Sequence, residues 1–238
     1  CRAWILSCGN ADGGFAGEPG WHSNVAWTFF AVKALHLLDA PTPNADKTAA
    51  WLKSCVQETG GSGASPVTGR RAYHPGWTAS AEYTSYLVQA MALLGDSLPE
   101  GDATTRFLQS LQHEGGGFRH SGGNPTTGYT RDALLGLQAL EAPPTDTGGC
   151  RQWLLERQQP DAGFGWEGGN RSTLRNTAHC VTALHILGYE LDPERAAALG
   201  AYLDDHAHPG GGYAYAPGQP PTVTATWYAM KAEKALTQ

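Results

Sequence analysis

Charged side chains are scarce in this sequence of 238 residues, at 16% against roughly 25% in an average soluble domain. The net charge is −6, so the basic excess of nucleic-acid-binding proteins is missing and we expect no nucleic-acid partner. The sequence has no run of 18 apolar residues, which predicts no membrane span. It also shows no basic and apolar leader segment, so we predict a cytoplasmic protein with one domain over residues 1–238. The Gly-, Ala- and Arg-rich composition is typical of bacteria with GC-rich genomes.

Cysteine pairs at metal-binding spacing are also missing. The five cysteines stand at positions 1, 8, 55, 150 and 180, an odd number with no C-x-x-C. This pattern argues against a disulfide framework and against a zinc finger. We expect free thiols, as in a reducing cytosol.

Glycine, by contrast, is abundant, with 31 residues, and it marks an internal repeat. Five Gly-rich turns lie at residues 12–15, 60–63, 115–118, 161–164 and 210–213. After each turn we predict an apolar first helix, at residues 24–38, 79–94, 126–140, 174–187 and 223–236. Charged second helices are predicted at residues 46–57, 103–112, 147–158 and 193–206, and a truncated helix at residues 2–7.

The first helices align without gaps on one threonine. These threonines are Thr28, Thr84, Thr130, Thr177 and Thr226, spaced 56, 46, 47 and 49 residues apart. Six residues after each threonine comes a small residue, which allows close helix packing on that face. First helices that are apolar nearly all round predict an inner ring, and charged second helices an outer ring. We therefore predict an all-α fold, an α/α toroid (barrel) of about five helix pairs. The gap in the ring either stays open or is covered by a partner, as a homodimer or with another protein.

These turns resemble the Gln-x-x-x-Gly-Gly-Phe repeats of protein prenyltransferase β subunits and squalene–hopene (terpene) cyclases. The resemblance is best at residues 12–20, good at 112–118 and 158–164, and covers nearly the whole chain. It implies the toroid fold and favours a cyclase or isomerase of a biosynthetic pathway.

The catalytic motifs of that family do not recur. Zinc prenyltransferases carry Asp-x-Cys four and two residues before the shared threonine, and type II cyclases carry an Asp-rich motif in the same slots. Here those slots hold Asn24/Ala26, Ser80/Glu82, Thr126/Gly128, Thr173/Arg175 and Thr222/Thr224. Three or more converging ligands are needed for zinc, so we expect no metal and no other cofactor.

The positions two before, one before and two after each threonine share one helix face, which we predict to line a central cavity. As catalytic candidates this face offers Glu82, Tyr129, Asp132 and His179. As substrate-binding candidates it offers Trp27, Phe30, Tyr83, Tyr86, Arg175, Asn176 and Tyr228. A buried carboxylic acid has a raised pKa and can donate a proton, and aromatic faces stabilise a cation.

Three functions remain open on these residues. The first is a metal-independent biosynthetic enzyme, a cyclase or isomerase, working by acid–base or cation chemistry on a hydrophobic small molecule. The second is a carbohydrate-active toroid resembling a polysaccharide lyase, in which Arg175, Asn176 or His179 neutralises a uronate. The third is a non-catalytic module that binds a ligand or a protein. A closed apolar cavity would favour the biosynthetic enzyme, and an open groove through the toroid would favour the carbohydrate-active protein. A central cavity filled by side chains would favour the non-catalytic module.

Overall fold

The computed structural model describes residues 1–66, 78–98, 101–120, 123–166, 169 and 171–237. Within these residues the chain forms ten α-helices and isolated antiparallel bridges, and no strand of a sheet. The helices are α1 (Arg2–Ser7), α2 (Val25–Leu37), α3 (Ala45–Ser54), α4 (Ala81–Leu93), α5 (Gly101–Ser110), α6 (Thr127–Ala139), α7 (Thr147–Leu155), α8 (Leu174–Ile186), α9 (Pro193–His206) and α10 (Val223–Leu236). The predicted all-α class is confirmed, and every predicted helix boundary lies within three residues of the observed one.

The chain divides into two compact units. The first contains Cys1–Leu111 and Leu135–Pro143, and the second contains Gln112–Leu134 and Pro144–Gln238. Helix α6 contributes to both, because its residues 127–134 belong to the second unit and 135–139 to the first. Helix α2 packs on α4 in the first unit, and α8 packs on α10 in the second.

The first helix α8 is buried over more of its surface than the second helix α9. In α8 nine of 13 residues are buried, whereas α9 buries four of its 14 residues. This difference follows from composition, since α8 carries one charged side chain and α9 carries four acidic or basic ones in addition to its histidine. Among the described helices, none is both long enough and apolar enough to cross a bilayer.

The shared threonine joins each first helix to the turn that precedes it. Its hydroxyl oxygen accepts a hydrogen bond from the backbone amide of one turn residue, at 2.8–2.9 Å in every repeat; this is the last turn residue except in the second turn, where it is Ser62. The bonded pairs are Phe15–Thr28, Ser62–Thr84, Phe118–Thr130, Phe164–Thr177 and Tyr213–Thr226. The regular spacing in the sequence therefore reflects one buried backbone donor that each repeat must satisfy.

Close packing explains why the turns need glycine. Gly116 has a φ of +99°, and a Cβ atom there would lie 2.2 Å from the carbonyl oxygen of Gly149 in α7. Gly13 and Gly60 have the same left-handed backbone and lie equally close to the backbone of α3 and α5. Each of these three turns therefore lies directly against the start of the second helix that follows it in the chain.

All five cysteines are free thiols, as the sequence predicts. Cys8, Cys55, Cys150 and Cys180 are buried, and Cys1 is exposed. Burial raises the pKa of the Cys150 thiol to about 12, and it raises the pKa of Cys180 as well. Thiols in such surroundings are inert packing groups at neutral pH.

Candidate functional site

The candidate residues lie at the N-terminal ends of the first helices, where capping side chains fix the backbone. Thr173 Oγ1 accepts a bond from the amide of Asn176, and Thr126 Oγ1 accepts one from Tyr129, both at 3.1 Å. In the first unit, Ser80 Oγ accepts from the amide of Tyr83 at 3.2 Å. These caps satisfy helix donors that would otherwise be unpaired and hold the neighbouring side chains in one register.

A buried polar network joins α6 and α8 in the second unit. The hydroxyl of Thr127 donates to Asn176 Oδ1 at 2.9 Å and lies 3.4 Å from His179 Nδ1. A hydroxyl has one hydrogen, so this arrangement makes His179 Nδ1 the donor and leaves its Nε2 as an acceptor. Asn176 is 1% exposed, and its Nδ2 finds no partner among the described residues. A buried amide donor without a partner is costly unless a ligand or water uses it.

His179 is neutral in this network. Burial, together with the positive charges of Arg131 and Arg175, lowers the pKa of His179 to about 2. An imidazole in this state cannot store a proton near neutral pH. It can still orient a substrate or a water through its two nitrogen atoms.

Asp132 is the buried carboxyl group of the second unit, at 6% exposure. Arg131 Nε donates to its Oδ1 at 3.0 Å, and the same guanidinium makes a second, ion-paired contact. Burial raises the pKa of Asp132, while the charges of Arg131 and Arg175 oppose that rise without cancelling it. Asp132 therefore retains its proton to a higher pH than an exposed carboxyl group does.

Two tyrosines flank these groups. The Tyr228 ring lies edge-on to His179, with ring centroids 5.8 Å apart, and it is half-buried. The Tyr129 ring lies 5.7 Å from His120. Among the predicted residues of the second unit, Asn176 and His179 therefore share the Thr127 hydroxyl and Tyr228 packs on His179, whereas Tyr129 packs on His120.

The remaining predicted residues form an aromatic surface in the first unit. Trp27 and Phe30 lie 6.0 Å apart with both rings nearly half exposed, and Tyr86 lies 5.3 Å from Phe30. Phe29 anchors this surface, since it is buried and stacks on Tyr86 at 5.1 Å. Exposed aromatic rings held by a buried one form a rigid apolar contact surface.

Glu82 and Tyr83 border the aromatic surface on α4. Glu82 is exposed and accepts a hydrogen bond from the Tyr86 hydroxyl at 3.3 Å. Burial and the adjacent charge of Glu82 raise the pKa of Tyr83, while a hydrogen bond with Asn24 opposes this. Tyr83 is thus a neutral polar group, and Glu82 is a solvated one. Of the two predicted carboxyl candidates, Glu82 and Asp132, only Asp132 is buried.

A cavity of about 320 Å³ opens beside the polar network in the second unit. Its wall contains Thr127 from that network, together with Asn124, Pro125, Thr126, Trp153, Arg157 and Trp166. The Arg157 guanidinium lies 3.6 Å from the centre of the Trp153 ring and donates to the Trp153 carbonyl at 2.7 Å. A small molecule in this cavity would therefore meet Thr127 at one wall.

Sequence reasoning did not find Thr127, Arg131 and this Trp153–Arg157 stack. Thr127 lies three residues before the shared threonine, a position that holds apolar Val25, Ala81, Leu174 and Val223 in the other repeats. A polar residue at this otherwise apolar position was the sequence feature that could have identified Thr127. For Arg131 the signal was its place next to Asp132 on an otherwise apolar helix.

The described residues offer no arrangement that fits a metal ion. Across the described ranges, no cluster of three or more His, Cys, Asp or Glu side chains is placed to bind one. The slots four and two residues before the shared threonine contain no thiol, and the position one before it holds no histidine but Trp27, Tyr83, Tyr129, Asn176 and Ala225.

Three solved structures show the same fold. The Candida albicans protein geranylgeranyltransferase-I, complexed with GGPP, superposes with a TM-score of 0.80 at 17% identity, covering 98% of this chain and 76% of that chain. The type II terpene cyclase MstE from Scytonema superposes with a TM-score of 0.67 at 16% identity, covering 90% of this chain and 64% of the cyclase. The ent-copalyl diphosphate synthase from Streptomyces platensis superposes with a TM-score of 0.64 at 17% identity, covering 99% of this chain and 45% of the synthase. The chain thus spans less than half of the Streptomyces platensis synthase, and 64% of MstE in this superposition.

Sequence comparison identifies the family. A search of the curated proteins finds no match. The profile of the prenyltransferase alpha-alpha toroid domain matches residues 22–174 and 170–236, which is nearly all of the chain. The predicted α/α-toroid fold and the predicted family are therefore confirmed: this chain belongs to the prenyltransferase α/α-toroid family.

Proposed function

We propose that the chain is a metal-independent cyclase or isomerase of biosynthesis, acting on a hydrophobic polyene small molecule, with Asp132 as the proton donor. The observation that carries this proposal is the burial of Asp132, which raises its pKa although the charges of Arg131 and Arg175 oppose the rise. A raised pKa increases the fraction of Asp132 that carries a proton, and a protonated carboxyl group can transfer that proton to a carbon–carbon double bond, which is a weak base.

The proposed reaction conserves every atom of the substrate. Asp132 gives its proton to one carbon of a double bond, and the π electrons form the new C–H bond. The resulting carbocation is attacked by a second double bond, which forms a C–C bond. A neighbouring carbon then loses a proton, which re-forms a double bond and restores the Asp132 acid through solvent.

The other residues of the second unit have supporting roles in this proposal. Asn176 Nδ2 would donate to an oxygen of the substrate, and Arg175 would neutralise an anionic group nearby. The Tyr129 and Tyr228 rings would face the developing cation, since an aromatic face attracts positive charge. His179 would act as a neutral hydrogen-bonding group, because its pKa of about 2 leaves it without the second proton that an imidazolium could transfer to substrate.

For the first unit we propose a hydrocarbon-binding role. Trp27 and Phe30 expose ring surface over the buried Phe29, and Tyr83 and Tyr86 extend the same aromatic set. Glu82, which is exposed beside these rings, is the proposed polar contact for a ligand bound on this surface.

Two observations support the proposed substrate class, namely what structurally similar proteins bind and the exposed aromatic surface of the first unit. Structures of MstE variants are described with geranylgeranyl dihydroxybenzoate as substrate and with merosterolic acid A as product. The proposal takes the same class, a geranylgeranyl chain carrying a polar head group, for this chain.

Turnover of two such polyenes tests the proposal. Purified protein is incubated with geranylgeranyl diphosphate or geranylgeranyl dihydroxybenzoate, and the products are separated by liquid chromatography with mass detection. We expect a product with the mass of the substrate and a changed retention time. In Asp132→Asn the rate should fall by about 10²–10⁴-fold, which is the usual contribution of a general acid.

The matched control is Asp205→Asn on α9, an exposed carboxyl group that should leave the rate unchanged. Circular dichroism verifies that both variants fold. Unchanged turnover in Asp132→Asn would exclude Asp132 as the acid. Tight binding of both polyenes without any isomeric product would contradict the enzyme and support a binding module.

A further inference from the structure

In the second unit, one hydroxyl group serves two buried side chains. The Thr127 hydroxyl lies 2.9 Å from Asn176 Oδ1 and 3.4 Å from His179 Nδ1, and all three residues are buried. Because a hydroxyl has a single hydrogen, it donates to one of these neighbours and accepts from the other. With Thr127 donating to Asn176, Nδ1 of His179 carries the imidazole proton. Asn176 Nδ2 is then left as a donor, and His179 Nε2 is left as an acceptor.

The two atoms that are left over are one donor and one acceptor for either orientation of the Asn176 amide. With the amide turned round, Nδ2 donates to Thr127 and the hydroxyl donates to His179 Nδ1, so that Asn176 Oδ1 is the acceptor and His179 Nε2 the donor. A charged imidazole would present a donor in both cases. Burial and the positive charges of Arg131 and Arg175 lower the pKa of His179 to about 2, so the ring is neutral. We call Asn176 and His179 the open pair.

The fold itself does not require the open pair. At the contact of α2 with α4, the positions equivalent to Thr127, Asn176 and His179 hold Val25, Tyr83 and Tyr86. Valine has no hydroxyl to share, and α2 nevertheless packs on α4. Asn176 Nδ2 also lacks a partner among the described residues, which is costly for a buried amide unless a molecule outside the chain uses it.

Gly128 leaves space beside the open pair. It lies two residues before the shared threonine, where the other repeats carry the side chains of Ala26, Glu82, Arg175 and Thr224. A Cβ atom at Gly128 would lie 3.6 Å from both Cε1 and Nδ1 of His179. Gly128 is only half-buried, so this edge of the imidazole is bordered by surface that solvent reaches. A ligand group therefore has room to approach the ring where a side chain is missing.

We propose that the open pair binds a hydroxyl group of the ligand, in the space beside Gly128. A hydroxyl donates and accepts at once, so it matches one donor and one acceptor. An ether oxygen or an ionised phosphate oxygen only accepts, and it would place a lone pair against the acceptor of the open pair. Asn176 and His179 lie three residues apart on one face of α8, which suits a single head group. The inference rests on the proposed function for the hydrocarbon chain of the ligand, and it adds the class of head group, an alcohol or a phenol.

Isothermal titration calorimetry with two saturated probes tests this inference without any reaction. The probes are para-octylphenol and para-octylanisole, which differ only by a methyl group on the oxygen. The wild type should bind the phenol at least about tenfold more tightly, because the ether leaves one member of the open pair unmatched. Thr127→Val removes the shared hydroxyl and should reduce this preference to less than about threefold. Thr127→Ser keeps the hydroxyl and should restore the preference.

A second variant leaves Thr127 in place. Gly128→Val fills the space beside His179 and should weaken binding of the phenol at least about tenfold. Gly200→Val on α9 is the matched control, because a Cβ atom there would meet nothing within 4 Å, and its affinities should equal those of the wild type. Circular dichroism verifies that each variant folds. Equal affinities of the wild type for the two probes would overturn the inference, since water would then satisfy the open pair. So would a preference for the phenol that persists in both Thr127→Val and Gly128→Val.

The results also separate this inference from the proposed function. Isomerisation of a polyene together with equal binding of the two probes would keep the cyclase and refute the hydroxyl site. Selective binding of the phenol without turnover of any polyene would keep the hydroxyl site and refute the cyclase.

Discussion

The hydroxyl of Thr177 accepts a hydrogen bond of 2.9 Å from the backbone amide of Phe164, and both residues are buried. The same bond joins turn and first helix in all five repeats. It fixes where each first helix begins. It therefore also fixes the positions of the candidate residues, which lie within two residues of the threonine on either side.

Replacing Thr177 with valine should destabilise the protein by about 1–3 kcal/mol. Valine has nearly the same shape but leaves the buried amide of Phe164 without an acceptor. Urea unfolding followed by circular dichroism measures the change. Thr224→Val is the matched control on exposed surface of α10 and should stay within about 0.5 kcal/mol of the wild type.

Replacing Gly116 with alanine should have a larger effect than replacing its neighbour Gly115. At Gly116 the φ of +99° disfavours any side chain, and the new Cβ atom would collide with the Gly149 carbonyl oxygen. At Gly115 the nearest atom belongs to the His113 side chain, 3.5 Å away. We expect a loss of at least about 3 kcal/mol for Gly116→Ala and at most about 1 kcal/mol for Gly115→Ala. Equal losses in the two variants would contradict the close contact between turn and α7.

Much of the fold could be predicted from the sequence, because each copy of the repeat uses similar residues at equivalent positions. The threonine, the turn glycines and the small residue six positions later each satisfy one backbone or packing requirement, and these requirements recur. The middle turn shows the limit of this reasoning, since Ser62 replaces the aromatic residue and yet its amide makes the same bond to Thr84. The requirement lies in the backbone amide and not in the ring.

The site was less predictable, because helix geometry places a residue on a face but does not tell how its neighbours compensate its charge. Asp132 and Glu82 occupy adjacent positions of the same predicted face. Only Asp132 is buried, against Arg131, whereas Glu82 lies in solvent. Asn176 was predicted to bind substrate, and its Oδ1 is used by Thr127 of another helix while its Nδ2 is spare. Such pairings depend on which helices meet, and a single sequence does not show that.

The stability of the protein should fall in mild acid because of His179. Its folded pKa of about 2 lies below its ordinary value of 6.5, so between these values the unfolded chain holds one proton more than the folded chain. Acidification therefore favours unfolding, by about 1.4 kcal/mol for each pH unit below the ordinary pKa. Measuring the free energy of unfolding from pH 7 to pH 5 for the wild type and His179→Gln isolates this effect. The variant should lose stability less steeply with falling pH, and identical slopes would place His179 in solvent.

Zinc should be missing from the purified protein, and chelation should not alter turnover. The family slots for zinc ligands hold no cysteine in this chain, and the described residues gather no alternative ligand set. Elemental analysis by plasma mass spectrometry should give well below one zinc per chain. One zinc per chain that survives dialysis against EDTA would contradict this expectation.

The most direct test of the central claim, that Asp132 protonates a substrate double bond, is turnover of geranylgeranyl dihydroxybenzoate in D₂O. The carboxyl proton of Asp132 exchanges with solvent between turnovers, so the account predicts one deuterium per product molecule, attached to the carbon that was protonated. Mass spectrometry would then show a product one mass unit heavier than in H₂O, and Asp132→Asn would form almost none of it. A cyclised product without deuterium would contradict the account, because the reaction would then begin without a proton from the enzyme.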